Sequence, residues 1–185
     1  HRPLEPRTSN LEPLTASFKD EGDAVILFGE TREELGGSEY LARIHGRKAG
    51  KPPRVDLSRE RALQQLMVAA AAEGLLASAH DCSEGGLAVT VAESCMMDGE
   101  RLIGATVSPP STVHSPQKIR TDALLFGESA GRIIVSCRRH HLERLEFLAK
   151  RHGVPAAVIG RVGGKHLVIG SWIDAPVDEL NAAWR

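Results

Sequence analysis

Hydrophobic and polar positions fall in short blocks along this chain, and glycines close most of them. "DAVILFG" (residues 23–29) is an apolar run rich in β-formers and ended by glycine, which predicts a buried strand. After the polar stretch "ETREELGGSEY", the segment "YLARIHG" predicts a short helix stopped by Gly46. "KAGKPPRVD" is predicted to be loop, because its prolines preclude regular structure. "LSRERALQQLMVAAAAEGLLAS" places Leu63, Leu66, Met67 and Ala70 on one helical face, with Ser58 as N-cap and a stop near Gly74. "LLASAH" then predicts a strand, and "GGLAVTVAESCMMD" a helix of small residues.

The second half continues in the same style. "ERLIGATVS" predicts a strand, "STVHSPQKIRT" a loop, and "DALLFGES" and "GRIIVSC" two strands separated by a turn at residues 127–131. "RHHLERLEFLAKRHG" is amphipathic, with Leu142, Leu145 and Leu148 inward and Gly153 as its stop. "AAVIGRVGGKHLVIGSW" predicts a hairpin across Gly163 and Gly164, and "VDELNAAWR" a last helical turn or two. Strands alternating with helices, some strands adjacent, predict an α/β fold: an α/β/α sandwich with a mixed sheet. The opening "HRPLEPRTSNLEPLT" is proline-rich and aperiodic, so residues 1–17 are expected to be a linker or arm and 18–185 the folded domain. The chain reads as a piece of something longer.

Composition narrows the function. Hydrophobic content of 42% and charged content of 25% are ordinary for a soluble globular protein. A formal net charge of −1, with acids and bases mixed throughout, carries no nucleic-acid footprint. Apolar runs such as residues 123–126 and 156–159 are far too short for a membrane span, and no secretory signal opens the chain. Cys82, Cys95 and Cys137 are odd in number and widely spaced, which argues against a disulfide framework or a CxxC metal pair. Reduced thiols and no export signal point to the cytoplasm. His140 and His141 are adjacent, so they project differently from a helix and read as a solvated face.

The densest chemistry is "SAHDCSEGGLAVTVAESCMM" (residues 78–97). A strand ending near His80, a polar turn and a helix starting near Gly85 form an arrangement suited to anions, because first-turn amides lack partners and the helix dipole adds positive charge. Gly85 and Gly86 remove side chains so that a phosphate, or another backbone, can approach. Asp81 repels a phosphate by itself but bridges to one through Mg²⁺, and Ser83 can cap the helix or donate to a phosphate oxygen. The plainer alternative keeps Asp81 or Ser83 as an N-cap and the glycines for helix-on-sheet contact. Gly36 and Gly37 before Ser38 offer a second anion cradle, or only a flexible turn with Ser38 as N-cap. Glu128 and Ser129 of "FGES" sit where acids often lie simply because the chain turns.

No single glycine pair is a signature, but the ordered set is specific. "LFGETREELGGSEY", "IHGRKAGKPPRVDL", "SAHDCSEGGLAVTVAE", "DALLFGESAGRIIVS" and "IGRVGGKHLVI" together resemble the C-terminal domain of the phosphoribosylformylglycinamidine synthase family, within the aminoimidazole ribonucleotide synthetase superfamily. The resemblance covers residues 18–185. Thiamine monophosphate kinase-like and selenophosphate synthetase-like members share the strand-Asp-turn-Gly-Gly-helix idea and form the alternative, beside a purely structural packing module.

The resemblance implies the superfamily's C-terminal-domain fold and a ligase of purine biosynthesis that uses ATP and Mg²⁺. That enzyme activates the amide oxygen of formylglycinamide ribonucleotide as a phosphate ester, and glutamine-derived ammonia displaces the phosphate. It further implies that catalytic residues lie on N-terminal domains of the same synthetase, so none is assigned in this chain. In the fused form of the family the acid matching Asp81 helps hold Mg²⁺, and the serine matching Ser83 touches a nucleotide. The expected nucleotide-side residues are therefore Ser83, Gly85, Gly86, Gly36, Gly37 and Ser38, with Asp81 on the metal. The ending "APVDELNAAWR" is similar to that of a small-form subunit, which works with a separate glutaminase and a small bridging subunit.

Overall fold

All five residues of β1 (Ala24–Phe28) are buried, as an unbroken apolar run demands when both of its faces are covered. The computed structural model describes residues 13–99, 101–109 and 119–185. Around β1 stand β2 (Ser78–Asp81), β3 (Ala105–Val107), β4 (Ile133–Cys137), β5 (Ala156–Val162), β6 (His166–Ile169) and β7 (Ile173–Pro176). Among the described residues they form one sheet in the order β2-β4-β1-β5-β3-β6-β7. β3 and β6 run parallel and the other pairings are antiparallel, so the sheet is mixed as predicted. The helices are α1 (Glu39–His45), α2 (Leu57–Ala72), α3 (Gly86–Met96), α4 (Thr121–Phe126), α5 (Leu142–His152) and α6 (Val177–Trp184).

Strand periodicity divides the core in two. Val25 and Leu27 join Leu87, Val91 and Cys95 of α3, Leu125 of α4 and Val177 of α6. Ala24, Ile26 and Phe28 point the other way, to Leu63, Leu66 and Ala70 of α2 and Leu145, Leu148 and Ala149 of α5. Helices thus cover both faces, which is the α/β/α sandwich read from the sequence. Each fully buried Leu or Ile contributes about 1.5–3 kcal/mol, so this alternation is what sets the register.

Several local expectations are corrected. "DALLFGES" does not form a strand: residues 121–126 are α4, with Ala123, Leu124 and Leu125 all buried. A short, continuous apolar run has no period that separates a buried strand from a buried helix. β5 and β6 do not pair as a hairpin, because β3 inserts between them. Gly104 admits this approach: a Cβ there would lie 2.3 Å from the His166 carbonyl oxygen. α2 is capped by Asp56 rather than Ser58, the Asp56 carboxylate accepting from the amides of Ser58 at 2.9 Å and Arg59 at 3.1 Å. The strand expected in "ERLIGATVS" shrinks to the three residues of β3. β7, with the sequence IDAP, carries no strand signal in the sequence and forms by pairing with β6.

Residues 1–12 of the expected arm, and most of the loop in "STVHSPQKIRT", lie outside the described residues. Of the expected arm, Thr15 does meet the domain, and Phe18, where the expected domain begins, is bonded into it. The Ala79 amide donates to the Thr15 carbonyl at 3.0 Å, and the Phe18 amide to the Ser94 carbonyl at 2.8 Å.

One consequence of topology positions the site. β4 lies between β1 and β2 and runs antiparallel to both, with Ile133 opposite Phe28 on one side and Asp81 on the other. The loops after β1, after β2 and before β4 therefore gather at one end of the sheet.

Candidate functional site

Asp81 ends β2 with its side chain 69% exposed. Its carboxylate accepts a hydrogen bond from the Ser83 hydroxyl. That bond is the main reason its carboxyl is held below the usual aspartate range, with the neighbouring His80 acting in the same direction against partial burial. His80 is itself lodged between two acids: Nε2 lies 3.0 Å from Glu93 Oε2 on α3, and Nδ1 lies 3.6 Å from Asp81 Oδ1. Neither Asp81 nor Ser83 caps α3. The N-cap is Gly85, in the left-handed region at φ 76° and without a side-chain cap. Both polar side chains are therefore exposed and not consumed by the helix.

The glycines are used for close approach. A Cβ on Gly86 would lie 2.5 Å from the Gly127 carbonyl oxygen, so α3 can meet the end of α4 only through glycine. The Gly86 amide donates to the Ser83 carbonyl at 3.1 Å, and the Gly85 amide to Glu128 Oε1 at 2.9 Å. In the other loop a Cβ on Gly36 would lie 2.0 Å from the Lys51 carbonyl oxygen, and the Gly37 amide donates to Ala49 at 2.9 Å. Ser38 is only 1% exposed. Its hydroxyl accepts from the Leu41 amide at 3.3 Å as the N-cap of α1 and donates to the Leu35 carbonyl at 2.7 Å.

Glu128, which the sequence left as an acid at a turn, brings the two glycine loops together. Its Oε1 accepts from the Glu39 amide at the start of α1 as well as from Gly85, both at 2.9 Å. Below it lies Arg132, 2% exposed, which sequence reasoning missed. Its guanidinium donates to the carbonyls of Gly127 and Ser129, on either side of Glu128, and to Thr31 Oγ1. Burial pulls its pKa down from the ordinary arginine value, while Glu34 and Glu128 help keep it charged. Ser129 ties the same loop to the first one, accepting from the Arg32 amide at 3.1 Å. A signal was present: "GRIIVSC" puts an arginine at the mouth of a buried strand, where an unpaired charge is too costly to keep.

Among the described residues no group of three or more His, Cys, Asp or Glu could hold a metal ion. Asp81 offers one exposed carboxylate. Mg²⁺ keeps several waters and takes one or two carboxylates plus phosphate oxygens, so this donor set fits an ion shared with a phosphate rather than a closed protein cage. A cavity of about 380 Å³ is lined by Gly29, Arg32, Asp56, Arg59, Leu63 and Val154 among others, and no residue of the Asp81 turn contributes to it. The cysteines are free and buried, and burial pushes the Cys95 thiol up to about 12 and the Cys137 thiol to about 11.

The family model described as AIR synthase related protein, C-terminal domain, matches residues 20–172. The phosphoribosylformylglycinamidine synthase subunit PurL of Anaeromyxobacter sp. (strain K) is 46% identical over 174 residues, covering 92% of this chain and 22% of that protein. The chain thus spans about a fifth of the length of the curated relatives it matches. Among solved structures, T. maritima PurL complexed with FGAR matches at a TM-score of 0.77 and 21% identity, over 91% of this chain and 29% of that one. T. maritima PurL complexed with ATP matches at a TM-score of 0.68 and 20% identity, over 91% and 27%. At these identities the structural likeness shows the fold.

Proposed function

Because the chain belongs to the family of AIR synthase related protein C-terminal domains, we propose that it is the corresponding domain of a phosphoribosylformylglycinamidine synthase subunit. What carries the reading is the near-complete match of this chain to PurL, strengthened by glycine loops that each have a demonstrable use in the fold. The whole enzyme, in this reading, spends ATP to phosphorylate the amide oxygen of formylglycinamide ribonucleotide, and ammonia then displaces phosphate to form the amidine. The N-terminal domains of the same synthetase supply the catalytic groups, a glutaminase subunit the ammonia, and a small bridging subunit holds the two together. The setting is the cytoplasm.

This domain's own part is the turn after β2. The exposed Asp81 carboxylate, held below the usual aspartate range by Ser83 and His80, would hold Mg²⁺, which would supply positive charge beside a nucleotide phosphate. Ser83 stands beside it, and its single hydroxyl proton, given to Asp81 in this structure, would turn to that phosphate when a nucleotide binds. Gly36, Gly37, Ser38, Gly85 and Gly86 shape the two loops around that position. A second reading, a purely structural packing module, is favoured by one observation: the amides of Gly37, Gly85 and Gly86 already have internal acceptors.

Asp81→Asn in the full-length protein separates the two readings. Asn keeps an acceptor for Ser83 and no helix cap is lost, so the melting temperature without nucleotide is expected to stay within about 2 °C, the shift of well under 1 kcal/mol in a protein this large. Loss of the ligand charge should weaken Mg–nucleotide binding about tenfold or more. Unchanged affinity would return the turn to architecture.

A further inference from the structure

We propose that Glu128 is a positioning residue: one carboxylate oxygen fastens both glycine loops, so that the Asp81 turn and α1 are held in a single register. Oε1 of Glu128 accepts from the amides of Glu39 and Gly85, each at 2.9 Å, across 89 and 43 residues of chain. Bonds from amides to an ionised acceptor are stronger than neutral ones, and here one acceptor serves two segments. The aim of the carboxylate is not free. Arg132 holds the carbonyls of Gly127 and Ser129, and the Glu128 amide donates to the Glu34 carbonyl at 3.2 Å. Glu128 is therefore fixed through its own backbone and through both neighbours, and its side chain passes that order to the two loops. Gly86 also lies against Gly127, where a Cβ on Gly86 would meet the Gly127 carbonyl oxygen at 2.5 Å.

The functional half of this inference rests on the nucleotide reading of Asp81 given above; the latch itself does not. Two measurements on the full-length protein keep them apart. In hydrogen exchange, Glu128→Ala should raise the rates of the segments holding the Glu39 and Gly85 amides together, by tenfold or more, while α2 and α5 keep theirs. If that variant fails to fold, Glu128→Gln carries the test. Its neutral oxygen is a weaker acceptor, and the same two segments should speed up by roughly threefold. A change in one segment alone, or in neither, overturns the latch. In Mg–ATP titration, Glu128→Ala should weaken binding about tenfold in the parent and add nothing once Asp81→Asn is present, the mark of two residues acting through one position. Additive losses, or none from Glu128→Ala while Asp81→Asn weakens binding, overturn the positioning role. If Asp81→Asn has no effect of its own, the nucleotide reading fails and hydrogen exchange alone decides the latch.

Discussion

Asp23 shows at the scale of one residue how burial turns a charge into a pH dependence. It is 4% exposed, and among the described residues its Oδ2 has no hydrogen-bond partner. Desolvation raises its carboxyl above the ordinary aspartate value, Asp20 adds to this, and Arg138 and His141 oppose it. A raised folded-state pKa means that the fold prefers the protonated form. The associated stability is complete below the unfolded value of about 3.9 and is lost as pH rises through the folded one. Asn is a neutral stand-in for the protonated acid. Thermal melts of the parent and Asp23→Asn between pH 7 and pH 4 should therefore show the parent gaining on the variant as pH falls. A difference that stays constant across that range would contradict the assignment.

At the scale of one element, α1 is the most exposed case. It has seven residues and buries none of them, and a helix this short is not stable in isolation. It persists because its ends are closed: Ser38 caps the start, and Gly46 takes the left-handed conformation at φ 62°. Two tertiary contacts finish the task. Tyr40 stacks on Phe126 with ring centroids 4.9 Å apart and an interplanar angle of 2°, and Glu128 takes the Glu39 amide. Tyr40→Ala removes a stack worth about 0.5–1.5 kcal/mol. Tryptic cleavage after Arg43 is expected to accelerate several-fold while the global melting temperature falls by only about 2–4 °C. A large global loss with unchanged local cleavage would mean that α1 belongs to the cooperative core.

At the scale of the whole molecule, three layers leave the Asp81 turn exposed at one end of the sheet, and other exposed acids, such as Glu21, Glu33 and Asp98, are spread over separate loops. Phosphorylation of an amide oxygen needs nucleotide, metal and substrate aligned in one site. The purified chain alone is therefore expected to convert no formylglycinamide ribonucleotide when given ATP, Mg²⁺ and ammonia, as followed by ADP release. Measurable turnover would place catalytic groups in this domain.

The sequence by itself determined whatever depends on nearest neighbours. β1 followed from an unbroken apolar run, α5 from its leucine spacing, and the ends of α1 and α5 from glycines that accept positive φ. The Asp81 turn was equally legible, because a strand, a polar turn and a glycine pair are adjacent in the chain. Tertiary structure decided the rest. Whether "DALLFG" coils or extends depends on what covers it, and here a layer of helices does. The place of β3 between β5 and β6 depends on which strand reaches the open edges, and Gly104 and Gly160 let it approach. The arginine at the mouth of β4 signalled that a buried charge needs partners, but which ones, and the role of Glu128, could not be read, because most of those partners are backbone groups that identify themselves by position and not by residue type. An acid at a turn is solvated until folding brings two amides to it from 43 and 89 residues away.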